Sequence, residues 1–297
     1  MVAAGPVPRA QEIERAHETG SKGGVQRVPI SVFIIARNEA DRIHRTIESV
    51  REWADEVIVI DSGSADATVA VCEALGARVL FNAWNGYGPQ KRFGEEACRN
   101  DWLLNLDADE EIDAALGRAI VAAFASGAPQ PDCAAFRLFW KNIHFTDDAP
   151  RRLAPRRGFI RLYDRRRARF HPSIVHDSVI VDAGGRVRDL PQGLVRHRSF
   201  RSFAHFHDKL MEYAAWQARD MIERGRRPSR LRVALEPVVS FYRMYVMRRN
   251  FIYGRDGVVM SALYARVRHA RMVGARAGPA GVEKMFRALK AGAAGED

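Results

Sequence analysis

The stretch WLLNLDADEEID, residues 102–113, decides how this chain is read. Its first half opens with the apolar run Trp102-Leu103-Leu104, the pattern of a short strand covered on both faces. Its second half breaks at once into carboxylates. Alternate residues just past a strand end can aim two of them, Asp107 and Asp109, at one hard cation, and such a cation binds diphosphate oxygens. The competing reading is a solvated acidic turn, helped by Glu110, Glu111 and Asp113. The position directly behind the apolar run favours the first. A calcium loop of the EF-hand type is disfavoured, because its sixth position should be glycine and is Ile112 here.

Working back from this stretch, the chain alternates two periodicities. Residues 28–35 form an apolar run that stops at Arg37-Asn38-Glu39, and residues 41–53 place Ile43, Ile47 and Val50 at helical spacing with Asp41 as cap. A second buried strand over 56–60 ends at Asp61-Ser62-Gly63-Ser64, and a helix follows over 66–75, with Ser64 or Asp66 able to cap it. A strand over 78–81, a helix over 87–97 and a strand over 101–106 complete a βαβαβαβ order. Strands alternating with helices predict an α/β fold, a doubly wound and mainly parallel sheet that binds ligands at the carboxyl ends of its strands. Three polar clusters fall at three such ends and are expected to share one crevice. Asp61 suits recognition of a base or ribose. No G-x-G-x-x-G and no G-x-x-x-x-G-K-[ST] occurs, so dinucleotide oxidoreduction and P-loop phosphoryl transfer have no motif to rest on.

Beyond Asp113 the pattern predicts one more helix, then short strands rich in aromatic residues and arginine from 134 to 181. Gly184-Gly185 reads as a hairpin turn, the sequence is largely helical from Ser202 onward, and fraying is expected after Lys290. The 297 residues suffice for a large core, and the three cysteines, Cys72, Cys98 and Cys133, form no C-x-x-C pair. They read as ordinary core thiols in a reducing compartment. Residues 1–27 lack the apolar core of a secretory signal, so the cytosol is the expected location. No run is long enough to span a bilayer, since the longest apolar segment, 237–246, is cut by Arg243.

A formal charge of +11 and a pI near 10.0 draw the protein toward polyanions: nucleic acid, anionic lipid head groups or phosphorylated glycans. The arginines gather after Pro150, whereas the acidic clusters lie in the first half, which predicts an acidic metal site and a separate basic acceptor surface. From Leu231 to Arg268, Val238, Phe241, Tyr242, Tyr245, Phe251 and Tyr253 are interleaved with Arg243, Arg248, Arg249 and Arg255, a composition suited to helices resting on an anionic membrane. Packing against the catalytic domain, or a subunit interface in a homo-oligomer, would use the same residues. His197, His205 and His207 tempt a metal reading, but a two-residue helical spacing turns the last two apart, and all three read as ordinary polar positions.

Three ordered blocks, SVFIIARNEADRIHRTIESV, DEVIVIDSGSADATVAVCEALGARV and WLLNLDADEEID, resemble the family 2 glycosyltransferases with a GT-A fold over about the first 120 residues. The segment NGYGPQKRFG and the later IVHDSVIVDAGGRVRDLPQGLVRHRSFRSFAHFHDKL resemble the bacterial lipopolysaccharide core β-glucosyltransferase group. The resemblance implies that Ala36, Arg37, Glu39 and Asp61 line the nucleotide pocket, and that Asp107 and Asp109 meet the sugar diphosphate and its Mg²⁺ or Mn²⁺. Lys91 is a further candidate for a phosphate contact, with surface charge as the competing reading for it and for Arg92. Such enzymes invert the anomeric centre by direct displacement, which requires a base for the acceptor hydroxyl. Asp177, with His176 beside it, stands where this group often carries a His-Glu pair.

On this reading residues 1–27 are a flexible segment and 28–200 the glycosyltransferase domain, divided into a nucleotide half, 28–112, and an acceptor half, 113–200. Residues 201–290 form a helical membrane-associating or oligomerising extension, and 291–297 a tail. The expected reaction moves a hexose, with UDP-glucose the first choice of donor, to a lipopolysaccharide-core or other lipid-linked acceptor at the cytosolic face of the bacterial inner membrane. Two alternatives compete. A nucleotidyltransferase would need a Gly-rich loop with a basic residue after the first strand, which is absent. A nucleic-acid-binding module would explain the charge but leaves Asp107-Ala108-Asp109 without a purpose, and no nucleic acid is expected.

Overall fold

The computed structural model describes residues 27–125, 129, 132–172 and 178–293, with side chains through 288. Its centre is a parallel array of β1 (Val28–Ala36), β2 (Ala54–Asp61), β3 (Arg78–Phe81) and β4 (Trp102–Asp107), in the order β3-β2-β1-β4. The apolar runs of β1 and β4 are continuous because both faces are covered. Along β1, Val32 and Ile34 face one core with Ile43, Ile47 and Leu116, while Phe33 and Ile35 face a second with Ile58, Leu103 and Tyr163. Helices α1 (Ile43–Glu48), α2 (Thr68–Ala74), α3 (Tyr87–Ala97) and α4 (Ala114–Ala123) connect and cover the strands. This is the GT-A α/β architecture that the resemblance implied.

Several elements depart from the sequence expectation. The first helix is a single short turn-rich segment, and Asp41 does not cap it; its carboxylate instead holds Arg201 at 2.7 Å, 160 residues along the chain. Asp66 ties the loop before α2, accepting from the Thr68 and Ala40 amides at 3.0 and 3.2 Å. After β4 the chain makes β5 (Glu110–Ile112) before α4, whose first turn is capped by Asp113 accepting from the Leu116 amide at 2.8 Å.

Strands β6 (Cys133–Asn142) and β7 (Arg157–Asp164) pair antiparallel and extend the sheet beyond β4. Gly184-Gly185 makes a turn, with the Gly185 amide bonded to the Asp182 carbonyl at 3.0 Å and Gly184 at φ +86°, but not a hairpin. The strand before it, β9 (Val179–Val181), pairs with β8 (Ala168–Phe170) in a separate two-stranded sheet; the strand after it, β10 (Arg186–Asp189), runs parallel to β6. β11 (Val195–His197) continues along the same edge of β6 and pairs antiparallel with β5 on its other side. These three short strands carry no periodicity of their own, and their place depends wholly on the edge that receives them.

The C-terminal part is helical, as expected: α5 (Phe203–Glu223), α6 (Arg230–Tyr242), α7 (Arg255–Ala277) and α8 (Pro279–Ala293), the last running past Lys290. Between α6 and α7 lie a π-helical turn, Arg243–Met247, and a 3-10 turn, Asn250–Tyr253. Pro237 inside α6 has no N–H for the Val233 carbonyl, and His269 of α7 donates from Nδ1 to that oxygen at 3.1 Å. The proline thus turns a lost helical bond into an inter-helix contact. Ala214, Ala215, Ala218, Val267 and Met285 form a small core of their own among α5, α7 and α8. Among the described residues no helix is long and apolar enough to cross a membrane.

Candidate active site

The carboxyl ends of β2, β1 and β4 lie side by side, as register requires: Ala36 is opposite Asp61, and Ile35 is opposite Asp107. The polar clusters inferred from sequence therefore border one edge of the sheet. Their side chains do different work there. Asp61 is buried and accepts from the Gly63 and Ser64 amides at 2.9 and 3.0 Å, which folds its loop into a rigid turn. Asn38 takes a left-handed backbone, φ +55°, and its carboxamide oxygen accepts from the Ala65 amide at 2.8 Å, stapling the β1 and β2 loops together. Glu39 is gripped by Arg42 and by Arg201, the latter at 2.9 Å. Arg37 is exposed and makes no ion pair among the described residues.

Asp107 and Asp109 diverge in their partners. The Asp107 carboxylate receives Lys91 Nζ at 3.0 Å and Arg161 at 3.5 Å. Lys91 is fully buried, 5.0 Å above the Phe170 ring, so the surface-charge reading of this lysine is wrong. Arg92, by contrast, is partly exposed and reaches Glu95 at 3.8 Å. Arg161 is set in place by the buried Asn105, whose oxygen accepts from its guanidinium and whose amide donates to the Phe33 carbonyl at 3.2 Å. Burial alone would raise the Asp107 carboxyl, but Lys91 and Arg161 override it and hold the group well below the ordinary carboxylate value.

Asp109 faces His197 Nε2 at 3.3 Å and Arg42 at 3.6 Å. Burial opposes its charge, and His197, Lys209 and Arg42 reverse that, so the carboxylate stays ionised. His197 answers in kind: burial disfavours its cation, and Asp109 more than compensates, raising the imidazole above its usual value. Its Nδ1 lies 3.2 Å from the Asn142 carboxamide oxygen, an orientation that leaves Nε2 turned to Asp109. The residue that spacing relegated to an ordinary polar position is thus part of the site. Its arrival is a matter of pairing: β11 sits between β6 and β5, His197 lies directly opposite Glu110, and the Arg198 amide donates to the Asp109 carbonyl at 2.9 Å.

Glu110 braces the turn from below. It accepts from the Trp140 indole at 2.6 Å and from the Asp107 amide at 2.9 Å, and burial together with Asp107 raises its carboxyl above the ordinary value. Thr46 donates to the Ala108 carbonyl at 3.0 Å, pinning the same turn to α1. Among the described residues no three His, Cys, Asp or Glu side chains form a metal cluster. Asp109 and His197 nonetheless offer a carboxylate oxygen and an imidazole nitrogen at one point, which could hold Mg²⁺ or Mn²⁺ with phosphate oxygens and water as its other donors. Each aspartate faces two cationic side chains, and Asp107, 29% exposed against 9% for Asp109, is the one that reaches the cavity wall. His176 and Asp177 lie outside the described residues.

From this acidic turn a cavity of about 410 Å³ extends between the face of β6 and β7 and the C-terminal helices. Asp107, Glu110 and His197 line one part, and Trp140, Phe159 and Tyr264 line the rest. Sequence reasoning placed the C-terminal helices as an appendage; they help wall the space next to the carboxylates.

Residues 31–190 match the family model described as glycosyl transferase family 2. A protein of Rickettsia bellii named as an uncharacterized glycosyltransferase is 41% identical over 250 residues, 82% of this chain and 84% of its own. The lipopolysaccharide core biosynthesis glycosyltransferase LpsC of Rhizobium meliloti is 28% identical over 266 residues, 84% of this chain and 93% of its own. Among solved structures, glucosyl-3-phosphoglycerate synthase of Mycobacterium tuberculosis, in complex with Mn²⁺, UDP and glucosyl-3-phosphoglycerate, overlaps 48% of this chain and 50% of its own, with 24% identity and a TM-score of 0.31.

Proposed function

From the premise that the chain belongs to glycosyl transferase family 2, we propose that it is an inverting, metal-dependent hexosyltransferase that uses a UDP-sugar, with glucose the first choice, and a lipopolysaccharide-core or other lipid-linked glycan acceptor. The observation that carries this reading is the pairing of Asp109 with His197 at the carboxyl end of β4, beside a cavity large enough for a sugar. Nucleotide contacts are assigned to the Ala36–Asp61 edge, where the exposed Arg37 makes no ion pair among the described residues. Asp109 and His197 are the proposed holders of Mg²⁺ or Mn²⁺, and Lys91 and Arg161 keep Asp107 ionised beside them. The metal, when bound, takes up negative charge on the departing diphosphate, worth several kcal/mol in such reactions. The acceptor oxygen attacks the anomeric carbon as the bond to the diphosphate breaks, and its proton passes to a base, for which Asp177 is proposed on sequence grounds. The nucleotidyltransferase and nucleic-acid readings lose their footing with family membership.

A peripheral position on the cytosolic face of the inner membrane belongs to the same proposal. Its support is the exposed stripe Leu231, Leu235, Val238 and Tyr242 on α6, continued by Met247 and Phe251, with Arg243 and Arg249 exposed beside it. Val238 on α6 and Met247 on the π-helical turn are 70% and 68% exposed, apolar surface of the kind an interface covers.

Calorimetric titration with UDP and GDP, in Mn²⁺ and then in EDTA, tests the core of the reading. Wild type should bind UDP only with the metal, and Asp109→Ala and His197→Ala should lose that metal-dependent binding. Absence of nucleotide binding under any metal would sink it.

A further inference from the structure

Two guanidinium groups in the cavity have no carboxylate to answer them among the described residues. Arg157 opens β7 and Arg248 follows the π-helical turn; both line the cavity, both side chains are exposed, and neither makes an ion pair among the described residues. Most arginines near the catalytic turn are spoken for: Arg42 by Glu39, Arg161 by Asp107, Arg198 by Glu111 at 2.8 Å and Arg201 by Asp41. Arg248 lies 5.7 Å from the Tyr264 ring, which aims it without neutralising it. The cavity wall strips part of the water from Arg157, and this and the neighbouring Arg248 both act against its charge, so the two cations face the same space at a cost that an anion would remove.

Distance along β7 separates this pair from the diphosphate end. Arg157 and Phe159 share one face of the strand, and Arg161, where the pairing with β6 shifts register, lines the same cavity. Four residues of strand put the Arg157 backbone about 13 Å from that of Arg161, the cation already committed to Asp107. The space between is lined by rings: Phe159 packs edge-on against Trp140 with centroids 5.4 Å apart. Two buried polar nitrogens in the wall are left over as well. Among the described residues neither Asn250 Nδ2 nor His144 Nε2 has a hydrogen-bond partner, and Asp256 stays 3.9 Å from the latter. His144 Nδ1 is engaged on its own loop, 2.7 Å from the Thr146 hydroxyl and 3.4 Å from the Thr146 amide nitrogen.

We propose that this cavity is the acceptor subsite and that its ligand is an anionic sugar, a glycosyl unit bearing a phosphate or carboxylate that Arg157 and Arg248 hold while the ring rests against Trp140 and Phe159. The proposal rests on the transferase reading and adds to it the class of acceptor. Selection then depends on charge: a neutral sugar leaves the two guanidiniums unanswered, whereas a sugar phosphate gains charge-assisted bonds.

Calorimetry on the full chain loaded with Mn²⁺ and UDP tests it, with glucose 6-phosphate, glucose and glycerol 3-phosphate as probes. Glucose 6-phosphate should bind at least tenfold more tightly than either of the others. Arg157→Gln with Arg248→Gln should lose at least tenfold in that affinity while UDP binding stays as in wild type, and Arg157→Lys with Arg248→Lys should retain part of it. Equal binding of glucose and glucose 6-phosphate would overturn the proposal, as would a double variant that binds the sugar phosphate normally. Equal binding of glycerol 3-phosphate would point to a bare phosphate such as a lipid head group and overturn the sugar assignment. Loss of UDP binding in the double variant would move the arginines to the donor diphosphate and also refute it. If wild type binds no UDP, the transferase reading and this one fall together; UDP binding without sugar-phosphate preference removes this one alone. Should the double variant fail to fold by circular dichroism, the single substitutions give the same comparison.

Discussion

Replacing Lys91 by Met separates the electrostatic role of this buried lysine from its packing. Lys91 is fully enclosed and lies 3.0 Å from Asp107, so its removal leaves a carboxylate in a poorly solvated place. Breaking a fully buried pair costs about 3–5 kcal/mol. Three features reduce that here: Asp107 keeps Arg161 at 3.5 Å, its side chain is 29% exposed, and methionine fills the space beside Phe170. The expected loss is therefore roughly 2–3 kcal/mol at pH 7, read from urea unfolding. Adding Asp107→Asn should return part of it, with a coupling of about 1–3 kcal/mol in the double-mutant cycle. The pH dependence has a definite sign. In wild type the Asp107 carboxyl is depressed below its ordinary 3.8, so its contribution is complete above that value and is lost as pH falls through the folded one. In the variant, burial is opposed by Arg161 without Lys91, the carboxyl rises, and protonation relieves the buried charge. The gap between wild type and Lys91→Met should thus narrow between pH 7 and pH 4. Additive single effects, or a gap that does not change with pH, would refute the ion-pair account and leave Lys91 as a packing residue.

Two further perturbations probe the helical wall. A Cβ on Gly257 of α7 would stand 1.9 Å from the Asn250 carbonyl oxygen, so Gly257→Ala must push the 3-10 turn away; about 1–3 kcal/mol of stability should go, with glucose 6-phosphate affinity falling and UDP affinity unchanged in the same titrations. Glu236, buried within α6, accepts from Ser240 at 2.9 Å and from Arg232 and Arg268 at 3.1 Å, and Arg268 belongs to α7. Burial opposes its ionisation, but these donors depress its carboxyl below the ordinary 4.5, so its stabilisation holds above that value and fades as pH drops through the lower folded one. Glu236→Gln should cost roughly 1–3 kcal/mol at pH 7 and less below pH 4, measured by urea denaturation.

The division between what local sequence and what folding supplied follows the range of the interactions. The first four strands and the short helices between them are visible because each is a few residues long and its period is local: an apolar run for a strand buried on both faces, a helical stripe for its cover. The same locality places Ala36, Asp61 and Asp107 at strand ends, and the DADEE turn reveals its carboxylates by alternation alone. Lys91 is ambiguous in one dimension, since a lysine on a helix is usually solvated; only the packing of α3 against Phe170 buries it. His197 was legible as a histidine but not as a neighbour of Asp109, because three residues of β11 acquire their position from β5 and β6, which lie more than 50 residues away. Arg161, Arg157 and Arg248 were equally indistinct within an arginine-rich chain. Which guanidiniums are neutralised and which remain unanswered depends on long-range pairing with Asp107, Glu39, Asp41 and Glu111, and long-range pairing has no period to betray it. The sequence by itself therefore determined the sheet, its binding edge and the acidic turn. The tertiary structure decided the partners of each charge and enclosed the cavity, because charges find their counterparts only after distant strands and helices are brought together.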